Sequence, residues 1–337
     1  MREKELRLAL ICYGGISLAV YMHGITKEVW HAVRASQQHH DGLPTTGVEA
    51  VYAELLAEME AGSGTRLRIL ADIIAGASAG GINGIFLGQA VATGQSLDPL
   101  TELWLSSADV EVLIAADAAP ATRFSKVWAL PLAWMAAGRG ADPVAALDEA
   151  TQEEVRAKLS HFVRSRWFDP PFGGPVITGL LLDAFAAMAA SGSGPRLLPE
   201  GQPLDLFVTV TDFTGHPERL RLNSPPEVVE TEHRVVIGFT DDGEAGLGDA
   251  PDLAFAARAT SSFPGAFPPF RVGELDGVLA DRGQPWPGRD NFLSRALPRQ
   301  AAANAVGAAV LIDGSVLANA PFRPAVDALA QRPARRE

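Results

Sequence analysis

The chain has 337 residues, 47% hydrophobic and 20% charged, which supports a full core and excludes a disordered chain. Its formal net charge of -12 argues against nucleic acid as the main partner, because phosphate binding favours a basic face. Cys12 is the single cysteine, so no intrachain disulfide can form, and a reducing, cytoplasmic setting is expected.

From Leu8 to Thr26 the only group that can carry a charge is His23, and Arg2, Lys4 and Arg7 precede the run. A signal peptide or membrane helix has that form. The Gly14-Gly15 pair, the polar Ser17 and His23, and the lack of a small-x-small cleavage site favour a different division. They predict a buried strand over 6–12, a glycine turn and a helix over 17–35. A polar loop over 36–46 follows, in which His39-His40 is expected to be solvated rather than metal-binding. No Cys/His metal spacing occurs, and neither a structural metal nor a cofactor is expected. Next come a helix over 47–61, a strand over 67–75 and a helix over 80–93. Apolar strands alternating with helical patterns predict an α/β fold with a mostly parallel, helix-covered sheet.

Residues 97–200 are Ala-rich, carry Trp104, Trp128, Trp134 and Trp167, and are interrupted by Pro131, Pro143 and Pro170-Pro171. They read as a mainly helical insertion. Its apolar, proline-broken stretch from Trp128 to Trp134 fits either core packing or a lid facing a membrane. Strand patterns return at 204–212 and 233–240, then a helix near 250–261, a Pro/Gly-rich stretch over 264–290, and a last strand, Ala308 to Ile312. No internal repeat or linker separates a second domain, so residues 1–337 read as a single domain.

One pentapeptide carries the chemistry. Gly76-Ala-Ser78-Ala-Gly80 follows an apolar strand and opens a helix, the sequence form of a nucleophile elbow. Gly76 and Gly80 fit a turn that leaves no room for a Cβ. The following helix points its free N–H groups toward developing negative charge. A serine needs a base, and downstream of Ser78 the histidines are His161, His216 and His233. None lies beyond Asp313, so the order Ser–Asp–His cannot be built with that acid. A triad using an earlier acid and His233 stays formally open. Asp313 closes an apolar run and precedes Gly314. In a parallel sheet the strand ends share one rim, which would bring Asp313 to Ser78. From these two residues alone, the reading of Asp313 as an Asp-Gly turn residue prevails.

Four stretches in this order resemble the patatin-like phospholipase family: Gly14-Gly15, Gly76 to Gly80, Ala257-Arg-Ala-Thr-Ser-Ser-Phe-Pro-Gly265, and Asp313-Gly314 with Asn319 and Pro321. The resemblance covers about residues 6 to 325, with Thr209 to Gly215 matching the strand before the third element. It implies a three-layer α/β/α fold and hydrolysis of acyl esters in phospholipids or related lipids through an acyl-enzyme. It also implies a Ser–Asp dyad of Ser78 and Asp313, and an oxyanion hole from the backbone of Gly14, Gly15 and Ile16. The substrate would be a lipid or membrane surface, which makes the protein peripheral there. One departure concerns the turn: Tyr13 replaces its first glycine, and the usual Arg or Lys is missing. A latent, non-catalytic module of the same fold, or a Ser–His–Asp esterase, are the rival readings. The opening Leu8-Ala-Leu-Ile-Cys-Tyr-Gly-Gly-Ile-Ser-Leu-Ala-Val-Tyr-Met22 resembles a bacterial subgroup whose members continue past the Asp-Gly element, so a shortened chain is expected.

Overall fold

The computed structural model describes residues 2–15, 19–107, 172–243 and 246–332. Ile16, His161, Trp128, Trp134, Trp167 and most of the expected insertion therefore lie outside the described residues.

The chain begins with β1 (Arg2–Cys12), α1 (Ala19–Asp41), α2 (Val48–Ser63), β2 (Thr65–Ala77) and α3 (Ser78–Thr93). After α4 (Asp98–Ser107) the described part continues with α5 (Gly174–Ala190), β3 (Leu204–Arg221) and β4 (Glu227–Asp241). The last part holds α6 (Ala250–Thr260), α7 (Val272–Asp281), α8 (Arg289–Ala296), α9 (Pro298–Ala302), a 3-10 turn over 306–308, β5 (Leu311–Asp313), α10 (Ser315–Ala318) and α11 (Phe322–Gln331).

From Leu70 to Ala77, β2 is buried at every residue because both of its faces are covered. On one face Leu70 and Ile74 join Leu206 and Val208 in the main core, beneath α3, α5 and α6. On the other, Ile73 and Ala75 pack with Ala325 and Ala328 of α11. Helices thus flank the sheet in the three-layer α/β/α arrangement. α3 is apolar all round and buried along nearly its full length, as a helix enclosed by core must be.

β1, β2 and β3 are parallel neighbours, whereas β4 and β5 both run antiparallel to β3. β4 lines one edge of β3. β2 and β5 share the other, end to end: Ala77 of β2 is opposite Thr209, and Asp313 of β5 is opposite the next residue, Val210. This corrects the common-rim argument for Asp313. The two strand ends do not emerge side by side; they run toward each other and meet over Thr209-Val210.

Three local expectations change. α1 extends through most of the expected 36–46 loop because its polar residues are bonded inward: Ser36 Oγ accepts the N–H of Ile69, and Gln37 donates to the carbonyl of Arg196. His39, in this helix, bonds Glu60 at 2.9 Å. The Pro/Gly-rich stretch holds α7, anchored by buried Val272, Leu275 and Leu279 at helical spacing. The last strand is shorter than Ala308 to Ile312, since residues 306–308 form the 3-10 turn.

Candidate active site

Ser78 stands where β2 becomes α3, with φ at +53°, a left-handed conformation that non-glycine residues rarely adopt. Such a conformation costs about 1–3 kcal/mol and persists only where the surroundings enforce it. Here they do. A Cβ on Gly80 would lie 2.3 Å from the carbonyl oxygen of Cys12, and one on Gly76 2.7 Å from the Cα of Gly81. The turn can therefore fold back on α3 only with glycine at 76, and press against the end of β1 only with glycine at 80.

The Ser78 hydroxyl donates to Asp313 Oδ2 at 2.6 Å, across 235 residues of chain. Asp313 is fully buried, and its Oδ1 accepts the Ser315 N–H at 2.7 Å. Burial raises the carboxyl pKa above its usual 3.8, with the Ser78 and Ser315 hydrogen bonds pulling the other way. A raised carboxylate is a stronger proton acceptor than an ordinary aspartate.

The backbone of each partner is tied to one segment. The Ser78 N–H donates to Thr260 Oγ1 at 2.8 Å, and the Thr260 hydroxyl donates to the carbonyl of Thr209 at 2.7 Å. Two residues on, the carbonyl of Ser262 accepts the Asp313 N–H at 3.1 Å. Arg258, fully buried at the end of α6, clamps this segment through Ser262 Oγ at 2.6 Å, the carbonyl of Pro268 at 3.0 Å and the Glu274 carboxylate at 2.8 Å. The sequence marked out the Ala257 to Gly265 stretch, but nothing local assigned Thr260 or Ser262 these contacts.

Gly14 lies against the serine, where an added Cβ would come within 2.8 Å of Ser78 Cβ. Its N–H donates to Asn319 Oδ1 at 2.7 Å. Gly15 is half-buried beside it, and Ile16 falls outside the described residues. The Tyr13 ring turns outward and meets Phe322 edge-on at 6.2 Å, so the side chain that departs from the family turn does not fill the site.

Among the described residues no histidine bonds Ser78. His233 Nδ1 is 2.8 Å from the carbonyl of Asp212, and His216 faces Glu232 across the β3–β4 ladder. A groove of about 960 Å³ between β4 and α11 is lined by Phe207, Thr209, Val236 and Arg323, on the face of the sheet that α11 covers. Neither Ser78 nor Asp313 borders it.

A family model described as patatin-like phospholipase matches residues 45–326. The chain belongs to that family. The matched span takes in Ser78, the Thr260 segment and Asp313. β1 and the glycine turn precede it. An uncharacterised membrane protein of Mycobacterium tuberculosis is 26% identical over 347 residues. The alignment covers 99% of this chain, and the chain spans 26% of that protein's length. No solved structure matches. Among the described residues no helix is long and apolar enough to cross a membrane.

Proposed function

We propose that this patatin-like protein is a serine lipid acyl hydrolase working through a Ser78–Asp313 dyad and an acyl-enzyme. The observation that carries the reading is the 2.6 Å hydrogen bond from a strained elbow serine to a buried carboxylate. Ser78 Oγ attacks the acyl carbonyl while its proton passes to Asp313 Oδ2. The tetrahedral oxyanion is met by backbone N–H groups of the glycine turn after β1 and by the N-terminus of α3. As the intermediate collapses, Asp313 returns the proton to the departing alcohol. Water then enters, gives a proton to Asp313 and releases the fatty acid, and Ser78 recovers its hydrogen. Exposed Tyr13, Val316, Leu317 and Phe322 lie around the dyad's own segments and supply an apolar approach for acyl chains. They support a lipid or membrane surface as the substrate source.

The test uses p-nitrophenyl esters, phospholipid vesicles and a fluorophosphonate probe. Ser78→Ala is expected to abolish hydrolysis and labelling. Asp313→Asn is expected to lower kcat by a comparable factor, because paired catalytic groups act as a unit. Hydrolysis by Ser78→Ala at the wild-type rate would sink the reading. Folded wild-type protein that resists the probe would instead favour a non-catalytic patatin-fold module.

A further inference from the structure

The turn beside Ser78 is gripped at two successive residues by one distant segment. Asn319, 305 residues along the chain, accepts the Gly14 N–H through Oδ1 at 2.7 Å. Three residues later Phe322 meets Tyr13 edge-on. Gly14 itself is wedged: a Cβ there would approach Asn319 Oδ1, Ser315 Cβ and Ser78 Cβ, each at 2.8 Å. An N–H already donated to a neutral side-chain oxygen is not free to greet a developing oxyanion without breaking that bond. The Gly15 N–H, by contrast, has no hydrogen-bond partner among the described residues.

We propose that Asn319 is a positioning residue: by occupying the Gly14 N–H it fixes the turn, and it leaves Gly15 as the donor to an oxyanion at Ser78. The assignment rests on the acyl-hydrolase reading above and removes Gly14 from the donor set. Its physical basis is that a glycine pair is the most flexible dipeptide a chain can offer. An oxyanion hole works only when its donors are already aimed. Something must immobilise the turn, and Asn319 does so with a short, uncharged acceptor.

Two variants test it, read by melting temperature, by kcat and KM on a p-nitrophenyl ester, and by the rate of fluorophosphonate labelling at pH 8. Asn319→Ala is expected to lower kcat and the labelling rate together by about 10- to 100-fold, part of the roughly 100- to 1000-fold that one donor is worth. KM should stay within about threefold, because only transition-state contacts are lost. Asn319→Asp keeps an acceptor for Gly14, so it should melt like wild type and stay within about tenfold of the wild-type rate, its charge accounting for the remainder. An Asn319→Asp protein that melts like wild type but is slowed by more than about 100-fold overturns the proposal, because the acceptor is restored and the rate is not. So does Asn319→Ala protein with wild-type or faster kcat and labelling. If Asn319→Ala fails to fold, Asn319→Asp decides alone. Wild-type protein that neither hydrolyses nor labels at Ser78 removes the enzyme reading and this one together; reactive wild type with unimpaired variants removes only this one.

Discussion

Asp313 sets the pH behaviour expected of the site. Its folded pKa lies above the usual 3.8 because burial disfavours the charged form. The proposed dyad needs the ionised form, so kcat/KM should fall as pH drops through that raised value, placing the acidic limb of the profile above pH 3.8. The sign for stability is the opposite. Asp313 stabilises the fold fully only when protonated, below the unfolded pKa, and loses that contribution as pH rises through the folded one. An Asp313→Asn protein should therefore melt higher than wild type at pH 8, with the gap closing as pH falls toward 3.8. Thermal melts across pH check it, and a gap that widens in acid contradicts it. Cys12 completes this scale: burial pushes its thiol up to about 11, so it should alkylate slowly at pH 8. The pentapeptide singled out Ser78, whereas an Asp-Gly closing an apolar run reads as a turn, and only the family resemblance singled out Asp313. Thr260 was not legible, since its bond to Ser78 spans 182 residues and leaves no local signal.

At the level of elements, the α6 C-terminus and the loop after it form the cradle of the dyad. Arg258 holds that cradle without solvent contact, paired with Glu274, which also accepts the Thr178 hydroxyl at 2.6 Å. Removing one partner of such a pair strands a buried charge and costs about 3–5 kcal/mol. Arg258→Ala should show that loss in chemical denaturation and lower activity with it. Replacing Arg258 and Glu274 together by Met should recover a good part of the stability, because the stranded charge disappears. Periodicity located the main elements, while their ends escaped it. α1 overran its expected end because Ser36 and Gln37 look like loop residues until their inward partners are known. Proline and glycine over 264–290 hid α7, whose three anchoring apolar residues were present in the sequence.

Over the whole molecule, charge and shape act together. A net charge of -12 repels an anionic surface, and salt screens that repulsion beyond about 10 Å at 0.1 M. Hydrolysis of vesicle lipid should thus be faster on zwitterionic than on anionic vesicles at low salt, with the two rates converging near about 0.5 M salt. Equal rates at low salt would mean that local apolar contacts outweigh the overall field. The alternation of strands and helices revealed the layered architecture, but the direction of β5 was beyond it, since three residues carry no sign of their orientation. That orientation has a consequence of its own. β2 and β5 abut tip to tip along one edge of β3, so β3 serves as a calliper for the gap between serine and carboxylate. A slip of β5 by one residue shifts Asp313 by about 3.4 Å and turns its side chain to the opposite face, which opens the dyad and takes Leu311 out of its place in the core. On the proposed function, reactivity at Ser78 becomes a gauge of strand register, and a probe that labels it would report that chain segments 235 residues apart have closed correctly.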